Sequence, residues 1–294
     1  MNNTAALCNA DDGWHAQLEL AVERAAGATR LSRCRHTGPL YVQKPFYPEG
    51  REHAHLYLLH PPGGIVSGDS IDISVVANAG AGVLVTTPGA ARVYRARDRQ
   101  ALQRQSVHLR IGAGAAVEWF PLETIVYNGA NVELDTHIDL DDGSCFIGWE
   151  ITCFGLPASA EPFKQGRFRQ HYLLRRNGQP LFVERLLLDR RRSVLLNGRV
   201  AMRGCTASGF FLAGPIAEDA RSPSQPALLA ALRDKAQQLD MATVAAISRV
   251  GEFYIGRYLG NSAEQGRKVF TAWWRLVRPA LLQREACAPR IWLT

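Results

Sequence analysis

Two sets of side chains in this sequence have types and spacings that could do chemistry. His53 and His55 form a His-x-His pair. On a strand that spacing sends both imidazoles to one face, an arrangement that zinc and nickel sites use. Nothing nearby in the sequence supplies an evident third ligand, and solvated strand histidines are the competing reading. The second set is acidic: Glu118, Glu123, Glu150 and Glu161. Paired carboxylates such as Glu118 and Glu150 serve either as acid and base in a glycosidase or as weak oxygen ligands to a passing divalent ion. Solvated surface glutamates are the alternative, although the adjacent Trp119 and Trp149 favour burial.

Asp69 ends the densest local motif, His60-Pro-Pro-Gly-Gly-Ile-Val-Ser-Gly-Asp69. Pro61 and Pro62 stiffen the entry, while Gly63, Gly64 and Gly68 permit sharp turns and close backbone approach. A second turn motif joins Thr86, Thr87, Pro88 and Gly89. Neither is a phosphate loop, because the G-x-x-x-x-G-K-[ST] pattern and a following helix are both missing. A purely structural turn is the plain reading, with Asp69 as the residue such a turn would present.

These residues need a scaffold, and most of the chain reads as strands. From Trp14 to about Leu212, runs of β-favouring residues alternate with Gly, Pro, Asn and Asp at short intervals. A weak repeat sits inside this region: Gly80 and Gly82 lie 32 residues before Gly112 and Gly114, and Asp142-Gly143 begins a looser third copy. Each copy is a Gly-rich turn feeding an apolar strand, which points to stacked, superhelical β-layers. Stacking of the copies would bring Glu118 and Glu150 near each other along one wall. Similar hairpin turns in an ordinary sheet protein remain the alternative.

The last 70 or so residues change character. Leu228, Leu229, Leu232, Ala236 and Leu239 mark one face of a helix. Asn261 or Ser262 can cap a second, with Gln265 completing a capping box and Pro279 expected to kink or end it. Two strands around Gly251 separate them. The expected fold class is mainly β, superhelical or stacked layers of strands with two helices near the C-terminus. One domain over residues 1–294 is expected, with about 1–13 as a flexible tail.

Composition removes several classes. At 294 residues, 47% apolar and 21% charged, the chain can bury a core without disulfides or a structural metal. The six cysteines are scattered without a C-x-x-C, so packing is the expected role. No apolar run reaches about 18 residues, and the polar start carries no secretory signature, so a cytoplasmic, non-membrane protein is expected. The net charge of +7 comes almost wholly from arginine, which suits planar acidic partners. Aromatics are not interleaved with the Arg-rich stretches as a nucleic-acid platform would require. No serine-nucleophile elbow occurs.

In order, Gly38-Pro-Leu40, the His60 to Asp69 motif, Thr86-Thr-Pro-Gly-Ala90, Glu118-Trp-Phe-Pro121, Glu123-Thr-Ile125, Gly148-Trp-Glu150 and Pro289-Arg-Ile-Trp292 resemble the UreD family of urease accessory proteins, called UreH in some species. The resemblance runs from Trp14 to the last residues. It implies a non-catalytic maturation chaperone that joins UreF-like and UreG-like proteins, the latter a nickel-delivering GTPase, on urease apoprotein. Nickel would be a transient passenger rather than a tightly bound cofactor, and a polar passage through the subunit is a possible route. Asp69, Glu118, Glu123, Glu150 and Glu161 are the residues carried over as its lining. The chain departs from the family pattern at Leu122, Asn128, Leu156 and Ala160, and at Ala91-Arg92. The rivals are a β-solenoid carbohydrate-active enzyme using Glu118 and Glu150, and a basic nucleic-acid-binding protein.

Overall fold

A computed structural model describes residues 13–97, 101–189, 194–216 and 225–293. Residues 1–12 of the expected tail, and Arg190 to Arg192 of one Arg-rich stretch, lie outside the described residues. The chain opens with a hairpin, β1 (His15–Ala25) and β2 (Ala28–Thr37), followed by β3 (Tyr41–Val42), β4 (His53–Leu59) and β5 (Gly64–Ile65). Three coils come next: β6 (Ser70–Ala77), β7 (Gly82–Thr86) and β8 (Ala91–Val93); then β9 (Gln103–Ile111), β10 (Ala116–Phe120) and β11 (Thr124–Val126); then β12 (Asn131–Leu140) and β13 (Cys145–Leu156). The hairpin strand β14 (Glu161–Pro162) leads to β15 (Arg167–Arg176), β16 (Gln179–Leu188), a one-turn helix α1 (Val194–Asn197) and β17 (Ala207–Gly214). Helix α2 (Gln225–Gln238), β18 (Ala245–Val250), β19 (Phe253–Gly260) and helix α3 (Ala263–Leu282) complete the order.

Each coil places one strand in each of two large sheets. In the seven-stranded sheet β6, β9 and β12 are parallel neighbours, and in the twelve-stranded sheet β7, β10 and β13 are. The repeat is therefore structural, but its register differs from the sequence alignment. Gly82 pairs with Ala116 and Ala116 with Cys145, so Gly80 corresponds to Gly114 and Gly143, not Gly112. The reason is conformational: Gly80, Gly114 and Gly143 share positive φ values of 69, 65 and 67°, the left-handed turn that glycine adopts without steric cost. The turns also stack, with Gly80 N–H donating to Ala113 O and Gly114 N–H to Asp142 O.

Burial follows from this layering. The outer sheet strand β12 alternates half-buried and buried residues along its length, whereas β7 is buried throughout and β13 nearly so. An alternating strand has one wet face; a continuous one is covered on both. One apolar core lies between the sheets, and a second between the twelve-stranded sheet and helices α2 and α3. The five described cysteines are free thiols.

Helix α3 begins where expected, at Ser262, whose hydroxyl accepts the Gln265 N–H. The Gln265 side chain does not complete the box; its Oε1 lies 3.4 Å from the Tyr258 hydroxyl, which donates to it. Pro279 does not stop the helix at once, and it ends at Leu282. The inner stripe of Val269, Phe270, Trp273, Trp274 and Val277 is wholly buried. Trp273 donates to Leu232 O at 2.8 Å, tying α3 to α2, and its ring occupies the space over Gly256 on β19. A Cβ at Gly256 would stand 2.4 Å from that ring. Gly256→Ala is therefore expected to cost about 1–3 kcal/mol through displacement of α3, read as a lower urea midpoint; an unchanged midpoint would contradict this packing.

Candidate functional site

The pleat of the twelve-stranded sheet separates the two carboxylates that the repeat appeared to join. Glu118 aligns with Ile147 of β13, and Glu150 lies three residues further on, an odd offset. Successive strand residues point to opposite faces, so Glu118 faces the helices with Phe120 and Ile147, while Glu150 faces the space between the sheets. The expectation that both line one wall is corrected. An acid–base pair flanking one glycosidic bond is excluded with it, since a sheet stands between the two groups.

Glu118 is fully buried at the centre of an ionic cluster. Arg278, one turn beyond Trp274 on α3, reaches it with Nε at 3.0 Å from Oε1 and Nη2 at 3.0 Å from Oε2. Trp274 Nε1 donates to the same carboxylate at 2.6 Å, and His53 Nε2 lies 2.9 Å away. Arg278 also forks onto Glu49, at 2.7 and 2.8 Å, and donates to the carbonyl of Glu285. His55 Nε2 lies 2.8 Å from Glu49 Oε1. The His-x-His pair thus does share a face, and Glu49 and Glu118 supply the acidic ligands that the local sequence lacked. The guanidinium, however, stands where a cation would, satisfying both carboxylates. A hydrogen-bonded latch results, with Arg284 a further 3.9 Å from Glu49, fastening α3 to β4 and β10. Burial alone would raise the Glu49 and Glu118 carboxyls. The bonds and charges of His55, His53 and Arg278 outweigh it, holding Glu49 at about 2 and Glu118 below the usual carboxylate range.

Glu150 is held differently. Trp119 Nε1 at 3.2 Å and Thr136 Oγ1 at 2.8 Å donate to Oε1; Tyr172 OH at 2.7 Å and Gln170 Nε2 at 3.2 Å donate to Oε2. All four donors are neutral, and among the described residues no guanidinium or ammonium is paired with this carboxylate. Burial pushes its carboxyl above the ordinary range despite the opposing pull of the four hydrogen bonds. Glu150 borders a cavity of about 70 Å³ that reaches His60, Gly64, Thr87 and Leu122. Its partners Gln170 and Tyr172 border another, of about 230 Å³, with Met202, Ser208 and the Glu184–Arg257 pair. Each is roomy enough for water, whose share of liquid volume is about 30 Å³.

The other acidic residues have local work. Asp69 accepts the Trp14 N–H at 2.7 Å and the Val66 N–H at 2.8 Å, so the glycine-rich turn presents it to the start of β1. Glu123 lies 3.4 Å from Arg267, and Glu161 is exposed on β14. Thr86 donates to Phe120 O and Thr87 accepts the Leu122 N–H, linking the second turn motif to the Glu118 segment. Pro61 and Pro62 lie in the exposed stretch before Gly63 and Gly64, with Gly63 and Gly68 in left-handed turns and Pro88 and Gly89 in the bend after Thr87. At Asn128 the amide oxygen accepts the N–H groups of Lys164 and Gln165, so no carboxylate is required there.

Sequence reading missed Arg278, Glu49, Gln170 and Tyr172. For Arg278 the signal was present: it continues the buried stripe of α3, where an unpaired charge is prohibitive. Arg278→Met is expected to leave two buried carboxylates uncompensated and cost about 3–5 kcal/mol in urea unfolding; a loss below 1 kcal/mol would contradict the latch. The pH dependence has a definite sign. Glu49 contributes stability above its unfolded value near 4.5 that is lost as pH falls toward 2, and Glu118 acts in the same direction. Glu150, shifted upward, costs stability once pH rises above its unfolded value. Glu150→Gln is therefore expected to raise the urea midpoint at pH 7; a lower midpoint would show that the charged form is the favoured one.

The UreD urease accessory protein family model matches residues 15–293. A urease accessory protein UreD from Marinomonas sp. (strain MWYL1) is 44% identical over 283 residues, covering 96% of this chain and 90% of that protein. UreD proteins of Alcanivorax borkumensis and Dechloromonas aromatica are 37% and 38% identical, covering 96% of this chain and 93% and 95% of their own lengths. No described helix is long and apolar enough to cross a membrane. The chain belongs to the UreD family of urease accessory proteins, non-catalytic chaperones of nickel metallocentre assembly in urease maturation.

Proposed function

We propose that this chain, in the cytoplasm and in complex with UreF-like and UreG-like proteins on urease apoprotein, passes nickel through the space between its two sheets. The observation that carries this reading is Glu150, a buried carboxyl with four neutral donors and an upward-shifted proton affinity, standing between two cavities. Burial makes the charge of such a carboxylate costly, and a visiting cation would offset that cost. Oxygen suits a passage because it binds a borderline ion weakly enough to let it go. Glu118 is not open to a visiting cation in this way, since Arg278 already occupies it. Of the five acidic candidates, the reading now rests on Glu150; Asp69, Glu123 and Glu161 shape the surroundings.

Two surface features favour protein partners. The edge strand β2 exposes Arg30, Arg33 and Arg35, a basic rim for an acidic surface, and edge strands are natural pairing sites. Exposed Leu181 and Val183 on β16, with Val194 and Val200 beyond it, offer apolar area outside the cores. The test is the nickel content of urease matured with Glu150→Gln or Glu150→Ala, alongside gel filtration of the accessory complex. Intact assembly with at least roughly fivefold less nickel per urease is expected, a loss of about 1 kcal/mol in delivery. Full loading by both variants would overturn the passage.

A further inference from the structure

The same strands that hold Glu150 on their inner face carry a different constellation on their outer face. Between the inward Thr136 of β12 and the inward Gln170 and Tyr172 of β15 lie Asp135, His137 and His171, which point away from the passage. In-register parallel pairing sets Asp135 beside His171, and His137 beside His108 of β9. The His108 and His137 rings are 4.8 Å apart between centroids, and the His137 and His171 rings 5.9 Å, both edge-on. One ligand atom from each of Asp135, His137 and His171 comes within 4.8 Å of the others.

Two details give this cluster a direction. His171 Nδ1 lies 3.3 Å from Asp135 Oδ1, which orients the ring and assigns its proton to the Nδ1 side. His171 Nε2 lies on the other side of the ring, buried without a hydrogen-bond partner. A buried unsatisfied nitrogen is costly, and carboxylate–imidazole pairs of this geometry are the usual support for a metal-ligating histidine. Rings that share an ion at about 2.0–2.1 Å have centroids roughly 4.5–6 Å apart, so small side-chain rotations suffice.

We propose that His171 and His137, with Asp135 supporting His171 and His108 at the rim, bind one borderline divalent cation of the nickel or zinc type. Nearby arginines oppose a cation, but most are engaged. Arg169 spends its charge on Glu133 and on Asp135 Oδ2, Arg167 on Glu133, and Arg175 lies 3.7 Å from Asp139. Arg185, opposite His171 on β16, is exposed. The site stands apart from the passage and does not depend on it, because the seven-stranded sheet lies between them.

The test is equilibrium dialysis of the full chain, purified without a histidine tag, against Ni²⁺ and Zn²⁺ separately. Wild type is expected to bind one ion at this site, His137→Ala and His171→Gln to weaken it at least tenfold, and Asp72→Asn on the same face to leave it unchanged. Equal affinity in the histidine variants, with native circular dichroism, would overturn the proposal, as would no binding by wild type. X-ray absorption of the loaded wild-type chain provides a readout that no variant can confuse. Scattering from two or more imidazoles is expected, and an all-oxygen shell would overturn the site.

Discussion

The two-residue period of the β-strand is the constraint on which the rest of this molecule depends. Three coils lay parallel strands side by side in two sheets, and the pleat sends each residue to one of two faces with no intermediate choice. On β10 and β13 it puts Glu118 toward the helices and Glu150 toward the interior. On β12 and β15 it puts Thr136, Gln170 and Tyr172 inward and Asp135, His137 and His171 outward. Three chemically distinct places therefore arise from neighbouring residues of the same strands.

Their electrostatics differ because their partners differ. Around Glu118 a cation is already in place, with Arg278 shared between two carboxylates. Such a cluster adds little net stability over an apolar core, yet removing one member is expensive; it acts as a register pin that seats α3 on the sheet. Around Glu150, among the described residues, no cation is paired with the carboxylate, and neutral donors hold the group. A fold selected only for stability has no use for an uncompensated buried carboxyl. In a nickel-handling family, that cost is explained if a cation visits.

Much of the fold was legible in the sequence. Strand alternation located nearly every long strand, and leucine spacing with the Ser262 cap located both long helices. Between β2 and β4 only Tyr41–Val42 and a bridge at Phe46 form, because the segment crosses from one sheet to another. The repeat was visible but misaligned by two residues, since sequence similarity weights glycine count while structure weights which glycine has positive φ. Partnerships such as Glu150 with Gln170, or His137 with His171, were not legible. The first depends on how the two sheets face each other, the second on parallel register between β12 and β15, offset by 36 residues, and composition reveals neither.

The central claim is that the space between the sheets is a route, and the most direct measurement plugs it without touching a charged or hydrogen-bonding group around Glu150. Ser208 of β17 borders the larger cavity, and Ser208→Trp would fill it. With the accessory complex shown intact by gel filtration, nickel per urease is predicted to fall severalfold. Wild-type nickel loading by an assembled, plugged chain would contradict the account.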